Sequence, residues 1–411
     1  MPAESDAARR RLSRVLAIIF GGLLAFILGF ALWHRQGISN IARNWDAISD
    51  GSAMARELHY PEDLLEYMVT HVDEVSLVAY RVGDETNGIY VNADRPRTLA
   101  GLHSLLALCD YNAAIDTGAV QPNEAVAVAD WERFLLPETD GGSHARTLAQ
   151  LRTSPEVTND QVQLQDLVFG MVRFNDHAAT DYVLQRLGRA RLDALPAAFG
   201  MAHSEPPLPW SGLFLSWESG KDSAEQRLAR YQALGREVYA SEVWRLSQQL
   251  YNDPQLRAAT HERLTGQAGP ALKLAELARL AHALSPKGTA REYADLTARI
   301  ARGELPGSAA IQAELQWPLQ QPEVHSRFER YGSKTGSLPG ALTAASFATP
   351  KSAGPLVAVF LLDGLPIAVW LELMHSFLHQ RLEQDLLADP AFFERVRERL
   401  GAAANSVTTS R

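Results

Sequence analysis

The sequence predicts an α+β fold behind an N-terminal transmembrane helix, and three observations carry that prediction. A strand pair stands near the start, at 76–81 and 89–91. A long helical block fills the middle, and three strand-like runs with a hydrophobic helix follow it. Strands at both ends with helices between them imply one antiparallel sheet of N- and C-terminal strands, packed against helices, plus an all-helical subdomain.

The first element is the anchor. Residues 15–33 run for nineteen positions without a charge, preceded by Arg9, Arg10, Arg11 and Arg14 and closed by Trp33, His34 and Arg35. At about 1.5 Å per residue a helix of that length crosses a hydrocarbon core of roughly 30 Å. The arginine excess keeps residues 1–14 in the cytoplasm and carries the body across, so the expected location is a single-pass inner-membrane protein with its main domain periplasmic. A cleaved signal peptide is the competing reading; the long apolar run, with no clean small-x-small site after it, argues for a signal anchor.

Residues 34–57 are mixed and polar and read as a juxtamembrane linker or short helix. A helix is predicted over 61–72 from Leu64, Leu65, Met68 and Val69, and the strand pair then turns through 83–88. An apolar helix over 102–117 stops at Gly118. The helical block comprises 164–174, 178–187, 224–250, 272–284 and 291–302, with a Pro/Trp-rich loop at 203–217. Strands are expected at 330–335, 341–348 and 356–362, then helices at 366–382 and 391–400, and a disordered Ser/Thr-rich tail from 402 to 411. The folded domain is placed at 58–383, with 384–411 as a C-terminal helix and tail.

Composition excludes several classes. A net charge of −9 with no Lys/Arg stripe argues against nucleic acid. The single cysteine, Cys109, sits in an apolar helical run and forbids an intrachain disulfide. His261-Glu262 lacks the second histidine of a zinc-protease motif, and no cofactor is expected.

Three segments carry chemistry together: Arg97-Thr98-Leu99-Ala100-Gly101-Leu102-His103-Ser104 at the start of a buried helix, Phe174-Asn175-Asp176-His177 between helices, and Gly332-Ser333-Lys334-Thr335-Gly336 on a strand. Their order, spacing and context resemble the class A β-lactamases and their penicillin-binding relatives, with S-x-x-K at a helix start, S-D-N in a helical domain and K-T-G beside the cleft. The resemblance spans roughly 58–383 and implies the β-lactamase/transpeptidase-like fold.

The K-T-G match is complete, and the resemblance implies that Lys334, Thr335 and Gly336 face an anionic ligand. S-D-N is altered: Asp176 keeps its place as a turn brace, Asn175 stands for the serine and His177 for the asparagine. Asn175 exchanges hydrogen bonds but cannot relay a proton as a hydroxyl does. S-x-x-K is lost, with Gly101 at the nucleophile position and Ser104 at the lysine position. The five lysines are Lys221, Lys273, Lys287, Lys334 and Lys351, and three residues before them stand Glu218, Pro270, Leu284, Tyr331 and Ala348. No S-x-x-K therefore exists anywhere in the chain. Glu205, in the 203–217 loop, reads as a surface residue and not as a deacylating base.

Serine attack needs a hydroxyl activated by a base. The favoured expectation is thus a degenerate member of the fold, a pseudoenzyme that binds a peptidoglycan-like or peptide ligand, or an envelope protein, through Gly101, Asn175, Asp176, Lys334, Thr335 and Gly336. The alternative is a hydrolase with a rewired site, Ser104 attacking with His103 or His177 as base. A more remote reading sets a metal between His103 and His177, assisted by Asp176 or His144.

Overall fold

The structure is a computed structural model that describes residues 43–153, 160–218, 222–266, 272–351 and 354–409. Its centre is a five-stranded sheet. The strands are β1 (Val75–Arg81), β2 (Asp84–Val91), β3 (Phe328–Leu338), β4 (Ala341–Pro350) and β5 (Leu356–Asp363). Their spatial order is β2-β1-β5-β4-β3, antiparallel throughout. The N-terminal hairpin therefore docks on the last strand, with Val75 opposite Leu362 and Arg81 opposite Leu356. β5 is buried along its whole length and is apolar from Leu356 to Leu362, as a strand covered on both faces must be.

One face of the sheet, with Val78, Tyr80, Phe347, Val357 and Val359, closes onto the helical subdomain. At its centre α2 (Ser104–Asp116) is buried nearly all round, through Leu105, Leu106, Leu108, Cys109 and Tyr111. Around it lie α3 (His177–Leu187), α4 (Trp210–Glu218), α5 (Arg236–Asn252) and α6 (Ala290–Arg302). The other face, with Leu77, Ala79, Tyr331, Ala358 and Phe360, is covered by α7 (Ile367–Ser376), α8 (Leu378–Ala388), α9 (Pro390–Thr409) and the earlier helix Pro61–Thr70. The α+β architecture follows the expectation.

Four local readings are corrected. The helix expected over 224–250 is two, parted at Gly235, whose φ of 78° ends the first helix. The helix expected over 366–382 is also two, parted at Phe377 with φ 53°. The tail expected to be disordered continues α9 through Thr409, because Phe392, Val396 and Leu400 bury their side chains in the core. Within the loop expected at 203–217, residues from Trp210 onward form α4, capped by Asp181, whose two carboxylate oxygens accept from the Trp210 and Ser211 N–H groups at 2.6 and 2.7 Å. Among the described residues no helix is long and apolar enough to cross a membrane. The span expected at 15–33 lies outside them.

Candidate functional site

The three segments meet where β3 runs past the turn that opens α2. A short 3-10 turn, Ala100–His103, precedes Ser104, and Ala100 holds a left-handed φ of 46°. For a residue with a Cβ that conformation is strained, and it turns the chain sharply into the buried helix. Asn175 is left-handed too, at φ 55°, a conformation asparagine tolerates, and it ends the turn Gly170–Phe174. Asp176 then caps α3: its Oδ1 accepts from the Ala179 N–H at 2.9 Å and its Oδ2 faces His144 Nδ1 at 3.2 Å. The brace expected of Asp176 is what the structure contains.

Lys334 points from β3 toward Asn175 and donates to its Oδ1, and to the Thr335 carbonyl at 2.9 Å. The side chain is fully buried, and no carboxylate among the described residues pairs with it. Burial therefore pushes the amine down to about 7. Gly101 and Gly336 touch backbone to backbone. A Cβ on Gly336 would lie 2.3 Å from the Gly101 nitrogen, and one on Gly101 would lie 2.5 Å from Asn175 Oδ1 and 3.1 Å from the Thr335 oxygen. Thr343 tightens the same seam, its hydroxyl donating to the Leu99 carbonyl at 2.9 Å.

The residues expected to bind a ligand are thus brought together, but their own atoms fill the space between them. Lys334, expected to face an anionic ligand, has its ammonium enclosed by Asn175 and β3. Gly101, Gly336 and Asp176 are buried as well, and Thr335 alone of the K-T-G residues keeps part of its surface in solvent.

The contacts that the rewired hydrolase needs are not formed among the described residues. Ser104 is 2% exposed, and its hydroxyl donates to the Gly101 carbonyl at 2.8 Å, within its own turn. His103 is fully buried against Trp210, with ring centroids 5.0 Å apart, and neither ring nitrogen meets a hydrogen-bond partner among the described residues. Burial first, then the charge of Lys334, lowers this imidazole to about 3. His177 stacks on the same indole at 4.3 Å, and its burial there also lowers its affinity for a proton. No Ser–His hydrogen bond joins Ser104 to either ring. Both histidines are packing partners of Trp210, and no group of three His, Cys, Asp or Glu side chains among the described residues is placed to hold a metal ion.

Glu205 is bound by Arg236, whose Nε donates to it at 2.7 Å, and by the Lys287 N–H at 2.9 Å, a surface role as expected. Sequence reasoning missed Trp210, the platform for both histidines. The tryptophans of the 203–217 stretch were a signal, but the Asp181 cap that turns Trp210 inward is distant in sequence.

No family model matches the chain, and no curated protein does. Among solved structures it is similar to a β-lactamase from Sphaerobacter thermophilus, at 17% identity and TM-score 0.45, covering 78% of this chain and 95% of that one. It is similar to PBP-A at 13% identity and TM-score 0.46, covering 79% and 96%. A β-lactamase from Burkholderia vietnamiensis matches at 12% identity and TM-score 0.44, covering 77% and 96%. These neighbours come from the family that the motifs resemble. At such identities, what the site does rests on this chain's own residues.

Proposed function

We propose that the chain is a non-hydrolytic, β-lactamase-like domain, anchored in the inner membrane and working in the cell envelope by binding another protein. The observation that carries this reading is the Gly101–Gly336 seam. Where the resemblance calls for a nucleophile there is no side chain, and any side chain there would meet Asn175 and the backbone of the K-T-G strand. Lys334 is spent on Asn175, and Ser104 on its own turn. A small anionic ligand has no route to the amine in this arrangement, so a protein partner on the outer surface fits better than a peptidoglycan-like ligand in the cleft. The N-terminal apolar run supports the membrane tether.

The test is labelling of the full-length protein with a fluorescent penicillin, with Ser104→Ala as control. No covalent label on either form is expected. A stoichiometric adduct on the unmodified chain, lost in Ser104→Ala, would overturn the reading in favour of the hydrolase.

A further inference from the structure

The described chain begins at a fixed point. Arg43 donates to the Leu272 carbonyl at 2.9 Å, and the Asn44 side-chain oxygen accepts from the Leu274 N–H at 2.6 Å. The next residues form two short helices, Trp45–Ser49 and Ser52–Ala55, that pack on α7. α7 ends at Phe377, and Arg381, one turn into α8, donates to the His59 carbonyl beside Tyr60. The two short helices and the α7–α8 corner are therefore neighbours: Met54, Ala55 and Leu58 pack in the core layer of α7 and α8, while Arg43 and Asn44 reach residues 272–274 at the edge of the helical subdomain.

That layer carries three unusually exposed aromatic side chains among the described residues: Trp45 at 62%, Tyr60 at 67% and Phe377 at 54%. Phe377 also holds a left-handed φ of 53°, where a helix end commonly uses glycine or asparagine. A bulky residue kept in a strained conformation with its ring in water points to a use for the ring.

We infer that this face rests on the lipid surface, with Trp45, Tyr60 and Phe377 seated at headgroup level. The inference rests on reading 15–33 as a membrane span. From Trp33 to Trp45 is twelve residues, at most about 40 Å when fully extended. A folded unit of this size has a radius of gyration of about 20 Å and so is roughly 50 Å across. The tether is too short to pass around the domain, so the face it leaves from is the one nearest the bilayer. Aromatic rings with a polar edge or a flat apolar body favour that interface. Asp46, Asp50 and Glu57, all exposed on the same segment, suit a zwitterionic surface and not an anionic one.

The test uses the full-length chain in phosphatidylcholine vesicles. Trp45→Cys, Tyr60→Cys and Phe377→Cys, each labelled with a polarity-sensitive dye, are compared with Val238→Cys, an exposed position on α5; the native Cys109 is buried. Blue-shifted emission at 45, 60 and 377, quenched by brominated lipid, with no change at 238, is the expected result. Water-like emission at all four positions on protein that floats with the vesicles overturns the docking while leaving the anchor intact. Failure to float overturns the anchor and the docking with it. A blue shift that persists in detergent and grows with protein concentration assigns the face to a second copy and overturns lipid docking. Trp45→Cys and Tyr60→Cys keep the test decisive where Phe377→Cys does not fold.

Discussion

Two buried ionisable groups flank β3, one on each face, and neither has a countercharge among the described residues. Lys334 points into the helical subdomain and meets the Asn175 and Thr335 oxygens. On the opposite face Tyr331, two residues on from Glu329 in the same strand, donates to Glu383 Oε2 at 3.2 Å, with Ser333 and Ser346 alongside as directly paired residues of β3 and β4. Burial lowers the amine to about 7 and raises the carboxyl to about 7. The difference lies in what surrounds them. Glu383 sits among hydroxyls in an apolar layer and is tolerated as a neutral acid. Lys334 sits at the convergence of all three motif segments, where burial weakens the hold of the amine on its proton. The same desolvation thus favours the neutral form on both faces, an acid on one and an amine on the other.

Four experiments sharpen or break that contrast. The first is Gly336→Ala, where the new Cβ meets the Gly101 backbone and not a movable side-chain tip. Such overpacking should cost about 3 kcal/mol of stability, read by urea unfolding. A stable variant would mean that the seam opens readily, and that the site is a cleft held shut and not a filled core.

Next is Lys334→Met. The folded-state value lies below the unfolded one of about 10.4. Above the unfolded value both states are neutral; as pH falls toward the folded value the unfolded chain gains a proton first, so stability is lost. The natural protein should therefore gain stability as pH rises from about 7 toward 10, by up to roughly 1.4 kcal/mol per unit. The methionine variant should abolish that rise and exceed the natural chain most clearly at pH 6. Parallel urea midpoints from pH 6 to 10 check this, and an unchanged slope would show a hidden countercharge at Lys334.

Glu383→Gln tests the other face with the opposite sign. Here the folded value lies above the unfolded one of about 4.3, so the folded chain holds the proton longer. Stability should fall as pH rises from about 4.3 to 7, with the penalty complete above that. The variant should match the natural protein near pH 4 and exceed it by up to about 3.5 kcal/mol at pH 8. Equal pH profiles would place a compensating cation beside Glu383.

The smallest effect is expected from Ser104→Ala, which removes one hydrogen bond within a turn, worth about 1 kcal/mol, measured by thermal unfolding. A larger loss would give Ser104 a role that its geometry does not require.

Much of the architecture was legible before folding was considered. The alternation and β-rich composition of 76–91 and 328–363 specify strands locally, and the apolar run Leu105–Cys109 of α2 announces a central helix. The convergence of Gly101, Asn175 and Lys334 was legible only through motif order, since no local pattern joins residues 159 positions apart. Helix breaks at Gly235 and Phe377 escaped notice because neither interrupts the apolar period around it. The extension of α9 escaped because small polar residues over 401–409 carry no strong signal, while the packing of Phe392, Val396 and Leu400 upstream holds the helix in place.

By itself, the sequence determined that no S-x-x-K pair exists, since absence of a residue type at a spacing is independent of any fold. It also indicated the strands of the central sheet, because periodicity is a local property of the chain, while helices such as Ser143–Leu151, Pro254–Thr265 and Ser308–Leu315 were not read from it. Only the tertiary structure decided that the site is sealed. That outcome depends on two glycines from distant segments coming within van der Waals contact, and on Lys334 finding an amide oxygen and no carboxylate at the end of its reach. Both are properties of the packed interior, where a contact of a few tenths of an ångström settles whether a space exists.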